Sequence, residues 1–259
     1  MLQDYLDKLP DVHNNVCISF SGGLDSTVLL HLLIHKYGKD KIRTLSFAYG
    51  QRHSVELEMV KSNVERLGIN NHIVDITFLG NLVKNVCSLI GNSNLNPKTA
   101  EENAGDPQVN TYVPFRNLIF GSLTASFAEA NSCDVIAMGL NQVDMYGYWD
   151  TTMEFMTAFD NILSLNRKQQ IKLIAPFVSS YKEDELLLAK ELSVIFGYDI
   201  LEYTWSCYNG GTKECGKCNT CEEKLKGYIL AGYTDEQILG KFDISSDELT
   251  ERKNLYLIP

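Results

Sequence analysis

The sequence predicts an α/β fold: a doubly wound, mostly parallel sheet followed by a small C-terminal zinc-binding helical subdomain. Three features predict it. Short apolar runs alternate with amphipathic stretches in β-α-β-α-β order, a Gly-Gly loop separates the first run from the first helix, and four cysteines crowd the region after Trp205. Such an order implies right-handed crossovers, with ligands held beyond the carboxyl ends of the strands.

Val16-Cys17-Ile18-Ser19-Phe20 is a strand-like run stopped by Gly22 and Gly23, and Ser26 to Tyr37 carries Val28, Leu29, Leu32 and Leu33 at helical spacing. Ile42 to Tyr49 is a second β-rich run. Leu57, Val60, Val64 and Leu67 then mark one face of a helix closed by Gly68. His72 to Ile76 and Asp134 to Met138 repeat the strand signal. Asn117 to Asn131 is apolar around most of its circumference, which predicts a buried helix on a parallel sheet. Leu173-Ile174-Ala175 supplies a further strand, and Glu185 to Phe196 a helix capped by Gly197. Gly91 to Asn110 is too long for an ordinary connection and is either a mobile lid or a surface insertion. The change of composition near Trp205 divides the chain into 1–204, a nucleotide-binding domain, and 205–259, the cysteine-rich subdomain.

The 259 residues are 44% hydrophobic and 22% charged, enough to bury a core without disulfides. No apolar run approaches the roughly 18 residues of a membrane span, and Met1-Leu2-Gln3-Asp4-Tyr5-Leu6-Asp7 has no basic or apolar leader. We therefore expect a cytoplasmic protein. A net charge of −10 argues against nucleic acid as the main partner, because that affinity comes largely from Lys and Arg neutralising phosphates. A local basic pocket remains compatible with it. In a reducing compartment the seven cysteines read as thiols or metal ligands.

Ser21-Gly22-Gly23-Leu24-Asp25-Ser26 lies where a strand gives way to a helix. Two glycines let backbone N–H groups converge on an anion, and the helix N-terminus adds partial positive charge. With Ser19, Phe20 and Thr27 these residues form the expected ATP-phosphate loop. No Gly-Lys-Ser/Thr follows, so this is not a Walker loop. Asp25, an acid in an anion nest, is read as holding Mg or the loop itself. A plain glycine turn is the competing reading.

Cys207, Cys215, Cys218 and Cys221 fall within fifteen residues. Four thiolates leave no open position for water, which predicts a structural Zn rather than a catalytic one. An iron–sulfur cluster is the alternative, although the fourth cysteine lies upstream and no Cys-Pro follows. Gly216 permits the tight turn, and Lys213 and Lys217 are expected to offset the thiolate charge. Cys17, Cys87 and Cys133 read as core thiols.

The loop resembles that of the N-type ATP pyrophosphatases, which cleave ATP to AMP and pyrophosphate. Such chemistry turns the oxygen of an unreactive carboxylate or amide into a leaving group. Tyr49-Gly50-Gln51-Arg52-His53, Val113-Pro114-Phe115-Arg116-Asn117 and Trp205-Ser206-Cys207-Tyr208-Asn209-Gly210 together resemble the QueC family, 7-cyano-7-deazaguanine synthases, over about residues 16–231. The resemblance implies conversion of 7-carboxy-7-deazaguanine to the nitrile with ammonia and ATP, and a homodimer. It also implies that Arg52, His53 and Arg116 line the site, and that Lys182 with Asp184 matches a Lys-x-Glu pair near the nucleotide. Plainer readings make Arg52 and His53 a polar helix start, Arg116 a surface charge and Lys182 a solvated helix residue.

Departures from the family pattern fall on one rim. Asp144-Met145-Tyr146-Gly147-Tyr148-Trp149-Asp150-Thr151-Thr152 lacks the family's Cys-Arg pair, Ala48 replaces an Asp, and Phe115 replaces a Gly. Carboxylates can accept two parallel bonds from a guanine-like edge, so Asp144, Asp150 or Glu154 is expected to read the base, with Arg116, Asn117 and Tyr148 alongside. Tyr146, Phe115 and Trp149 make this rim less cationic and more aromatic. Two acceptors therefore stand open: ammonia, or an amine of a partner protein as in QueC-like enzymes of antiviral defence operons. A non-catalytic nucleotide-binding subunit and a tRNA-thiolating pyrophosphatase are further alternatives, disfavoured by the intact loop and by the acidic composition.

Overall fold

The computed structural model describes residues 1–51, 55–95, 109–141 and 148–257. Arg52, His53, Asp144, Tyr146 and most of the 91–110 segment lie outside the described residues. Five strands, β1 (Asn15–Ser19), β2 (Ile42–Ala48), β3 (Asn71–Asp75), β4 (Cys133–Met138) and β5 (Lys172–Ile174), pair in parallel in the order β3-β2-β1-β4-β5. The order reverses between β1 and β4, so the carboxyl ends of these two strands open the crevice that such sheets offer to ligands.

Alternation along the strands builds two cores. Val16 and Ile18 of β1, with Val135 and Ala137 of β4, enter one; Cys17, with Cys133, Ile136 and Met138, enters the other. The first core is closed by α1 (Leu2–Asp7), α2 (Leu24–Tyr37), α3 (Val55–Leu67) and α7 (Lys182–Phe196). The second is closed by α4 (Thr77–Val83), α5 (Arg116–Ala130) and α6 (Met153–Leu163).

The expectation of a fully buried α5 needs correction. Only Asn117, Gly121, Thr124 and Ala128 are buried, while Leu118, Ile119, Phe120, Leu123 and Phe127 are half-buried. Gly121 packs on Phe159 of α6, Phe120 stacks on Phe47 of β2 and Phe127 on His72 of β3, so the apolar circumference is covered on several sides but only in part. Phe78 and Leu82 of α4 and Met153 and Ile162 of α6 are exposed as well.

Beyond Trp205, α8 (Asn219–Leu230), α9 (Asp235–Lys241) and α10 (Ser246–Tyr256) follow, the last two opened by capping boxes of Thr234 with Gln237 and Ser245 with Glu248. Leu225, Ile238, Phe242 and Leu249 join the same apolar cluster as Leu186 and Leu188 of α7. Buried Glu214 ties the cysteine segment to this layer through Lys224 at 2.7 Å and Lys241 at 3.6 Å. Among the described residues, no helix is long and apolar enough to cross a membrane.

Candidate active site and metal centre

Between the end of β1 at Ser19 and the start of α2 at Leu24, the chain turns from strand to helix. Gly22 has a φ of +80°, and a Cβ there would come within 2.4 Å of the Glu56 carbonyl oxygen, so conformation and contact with α3 both require glycine. Ser21 Oγ accepts from the Gly23 N–H at 3.3 Å and lies 3.1 Å from Ser26 Oγ. The N–H groups of Leu24, Asp25 and Ser26, in the first turn of α2, have no intrahelical acceptor. These three residues, with Ser19, Ser21 and Gly23, line a cavity of about 210 Å³. Donors and the positive end of the helix therefore face its interior. At the far wall a Cβ on Gly139 would stand 2.9 Å from Ser26 N, so the end of β4 closes directly on this cradle. Phe20 packs in the core, Gly22 packs against α3, and the buried Thr27 hydroxyl has no partner among the described residues. None of these three lines the cavity.

Lys182 is no solvated helix residue. It is buried, and its Nζ donates to Asp25 Oδ1 at 2.6 Å and lies 3.8 Å from Glu185 Oε1. Glu185 is fully buried and accepts a bond from Asn141 Nδ2, just beyond β4. Burial, reinforced by the Asp25 charge, holds the Glu185 carboxyl well above the usual carboxylate range. Asp184, the expected companion of Lys182, instead accepts from the Tyr181 N–H at 3.1 Å and caps α7.

Arg116 opens α5 and lines the same cavity as the loop. Burial works to lower its pKa, but Tyr49, Tyr148, Tyr208 and Asp150 around it hold it above its ordinary value. Beside it, burial pushes the Glu56 carboxyl up to about 7 against the pull of Arg116, and burial also raises the Tyr49 phenol.

The expected substrate residues separate into groups. Arg116, Asn117 and Tyr148 converge on the cavity. Asp150 does not line it: its Oδ2 accepts the Asn117 N–H at 3.0 Å and its carbonyl accepts Asn117 Nδ2 at 3.2 Å, so it holds the start of α5 from beneath. Glu154 is exposed on the first turn of α6, away from the cavity. On the outer rim, Phe115 meets Trp149 edge to face at 5.3 Å, and Trp149 Nε1 donates to Tyr112 OH at 2.7 Å. Phe115 has a φ of +57°, a conformation that glycine adopts freely and other residues rarely do.

The segment carrying the first metal-type cysteine lies over the loop, where Trp205 N–H donates to the Gly22 carbonyl at 3.1 Å. The Sγ atoms of Cys207, Cys215, Cys218 and Cys221 lie within 4.8 Å of one another, and this group could hold a metal ion. Backbone N–H groups of Asn209 and Cys215 point at Cys207 Sγ, and those of Lys217 and Cys218 at Cys215 Sγ, each at 3.4 Å. The expectation for Lys213 and Lys217 is overturned: Lys213 Nζ donates to the Leu239 carbonyl at 2.7 Å and Lys217 pairs with Glu248 at 3.3 Å. Backbone N–H dipoles and the Asn209 side-chain amide, 3.4 Å from Cys215 Sγ, meet the cysteine sulfurs in place of lysines. Cys207, Tyr208 and Thr220 also line the cavity, so the cysteine knot forms one of its walls. Cys17, Cys87 and Cys133 are buried among apolar residues.

Sequence reasoning missed Glu56, Glu185 and Lys224 and gave no role to Tyr49 or Tyr208. The two tyrosines lie inside the quoted motifs. Glu56 carries the same helical signal as any acid in a first turn, and the Lys182-Glu183-Asp184-Glu185 run reads as ordinary charge at a helix start.

The family model described as "Queuosine biosynthesis protein QueC" matches residues 15–232. A 7-cyano-7-deazaguanine synthase of Leptospira interrogans is 36% identical over 245 residues, 90% of this chain and 94% of that protein. One from Marinomonas sp. is 33% identical over 218 residues, 84% of this chain and 94% of that protein. One from Picrophilus torridus is 36% identical over 228 residues, covering 85% and 89%. Among solved structures, the U34-tRNA thiolase NcsA from Methanococcus maripaludis with its [4Fe-4S] cluster aligns with a TM-score of 0.49 at 17% identity, over 100% of this chain and 78% of that one.

Proposed function

The chain belongs to the QueC family, and from that premise we propose that it uses ATP to adenylate the carboxylate of 7-carboxy-7-deazaguanine. The acyl group then passes to nitrogen from ammonia, first as the amide and then, after a second activation, as the nitrile 7-cyano-7-deazaguanine. The observation that carries this reading is the convergence, in one cavity, of the anion-binding turn of α2 with Arg116 and Asn117. The N–H groups of Leu24, Asp25 and Ser26 would receive the ATP phosphates, with Lys182 fixing Asp25 beside them. Arg116 would orient the substrate carboxylate, as a planar bidentate donor does well. Asn117 and Tyr148 would meet the base.

The donor set fits two metals. A carboxylate oxygen of Asp25 suits Mg, which would neutralise phosphate charge there. Four clustered sulfurs with N–H donors behind them suit a structural Zn, since tetrahedral Zn–S bonds of about 2.3 Å place sulfurs close together. A four-iron cluster would spread its thiolates over four separate irons. Zn would keep the wall made by Cys207 and Tyr208 in place.

Purified protein given MgATP, ammonium and 7-carboxy-7-deazaguanine should yield AMP, pyrophosphate and the nitrile by mass spectrometry. Absence of all three products refutes the reading. A second reading, transfer to an amine of a partner protein, is favoured by the exposed Phe115 and Trp149 at the rim; amide product on a protein chain, in place of free nitrile, would establish it. The part-exposed apolar residues of α4, α5 and α6 support a homodimer, which sedimentation equilibrium tests.

A further inference from the structure

Among the described residues, Glu56 belongs neither to the metal knot nor to the ion-pair networks around Asp25, Lys182 and Glu185 or around Glu214, Lys224 and Lys241. It stands on the first turn of α3, where its carbonyl closes against Gly22 of the phosphate loop, and it lines the same cavity as Arg116 and Asn117. Its backbone carbonyl meets the loop at Gly22 and its side chain shares the cavity with Arg116, so it adjoins the places where the leaving phosphate and the substrate carboxylate would be held. Among the described residues, Tyr49, beyond β2, and Arg116, of α5, are the ionisable groups that act on it; Arg116 in turn faces Tyr148, Tyr208 and Asp150.

We infer that Glu56 is the general base of the nitrogen-transfer steps. The inference rests on the reaction proposed above. Ammonia arrives near neutral pH as ammonium, which has no lone pair, and each later step on the way to a nitrile also sheds an N–H proton. The Glu56 carboxylate takes one proton from ammonium, and the freed lone pair forms the C–N bond at the acyl carbon. The C–O bond to AMP then breaks, with its electron pair leaving on the phosphate oxygen, which carries off a second proton from nitrogen. After returning its proton to water, Glu56 takes an N–H proton as the amide oxygen attacks the α-phosphorus of the next ATP and expels pyrophosphate. It releases that proton to water in turn, then takes the last N–H proton as the second C–O bond breaks, with its electron pair leaving on AMP, and C≡N forms. A base with an affinity for protons matched to neutral pH suits these transfers, and burial in the cavity wall, outweighing the pull of Arg116, gives Glu56 that affinity.

The test compares two nucleophiles on Glu56→Gln, which keeps the side chain's size. Hydroxylamine is largely neutral at pH 7.5 and traps the acyl-adenylate as a hydroxamate without first needing a base. Ammonium does need one. The ratio of ammonia-dependent amide and nitrile to hydroxamate should fall about 10²- to 10⁴-fold in Glu56→Gln, the usual contribution of a positioned base. An unchanged ratio, whether both rates persist or both collapse together, overturns the base role and leaves Glu56 a structural or binding residue. Failure of the unaltered protein to form any hydroxamate overturns adenylation itself, and the role of Glu56 with it.

Discussion

The contact between Lys182 and Asp25 gives the most exacting check on the site. Its side chains are 10% and 18% exposed, so solvent screens them little, and at 2.6 Å their attraction at an effective dielectric near 20 is about 6 kcal/mol before desolvation is charged against it. Desolvation offsets most of that, and removing one partner of a buried pair costs roughly 3–5 kcal/mol. Lys182→Met leaves Asp25 facing the Glu185 carboxyl with no cation between them, because Lys182 is also the group 3.8 Å from Glu185. We expect this variant to lose about 3 kcal/mol and Asp25→Asn to lose less, with the double variant about as stable as Lys182→Met alone, a coupling near 2 kcal/mol. Urea unfolding with unchanged m-values measures all three. Additivity within about 0.5 kcal/mol would show that the two groups do not act as a pair, and the account of why an acid stands in the phosphate loop would fail. Both single variants should also lose substrate-dependent AMP release.

Removing the metal by a strong chelator should release one Zn per chain and abolish AMP formation, since Cys207 and Tyr208 wall the cavity; full activity in metal-free protein would refute that coupling. Burial lowers His31 from 6.5 to about 4, while its Nδ1–H donates to the Thr27 carbonyl. The unfolded chain therefore binds more protons here, and about 3 kcal/mol of stability should be lost as pH falls from 6.5 to 4. A ring that titrates near 6.5 by NMR would contradict this. Glu56 has the opposite sign: its raised pKa means the folded state binds more protons, so stability falls as pH rises from 4.5 to about 7, and Glu56→Gln should be more stable than the unaltered protein at pH 8 but not at pH 4. Phe115→Gly should shift stability by less than about 1 kcal/mol, because relief of the left-handed backbone offsets lost contact with Trp149, whereas Phe115→Val should cost more than that. Equal thermal shifts for the two would remove strain from the explanation.

The fold was legible where periodicity had one meaning. The apolar runs of β1, β2, β3 and β4 are short and bounded by glycines or polar residues, and each forms a strand within a residue or two of its predicted limits. Helix α5 shows where composition misleads. An apolar circumference says that a surface avoids water but does not say which neighbour covers it, and the positions buried most completely are Asn117, Gly121, Thr124 and Ala128. Small residues permit close approach, and Gly121 is pressed so near Phe159 that a Cβ would come within 2.4 Å of its ring. The larger apolar groups meet the sheet as well, Phe120 stacking on Phe47 of β2 and Phe127 on His72 of β3, but keep part of their surface exposed.

Within the site, legibility follows sequence separation. The phosphate loop and the cysteine knot each act through residues within fifteen positions, so spacing alone exposes them. The groups that set their chemistry come from afar: Lys182 reaches Asp25 across 157 positions, and Arg116 meets Glu56 and Tyr49 from another helix. Carboxylates show the consequence most sharply. Asp150 and Glu154 were expected to read the base because their residue type suits a guanine edge, yet one is spent on the start of α5 and the other faces solvent. Glu56, chemically the same, is pushed toward neutral pH by burial that outweighs the pull of Arg116. Residue type tells which reactions a side chain can support; only its surroundings decide whether a proton sits on it at the pH where the reaction runs.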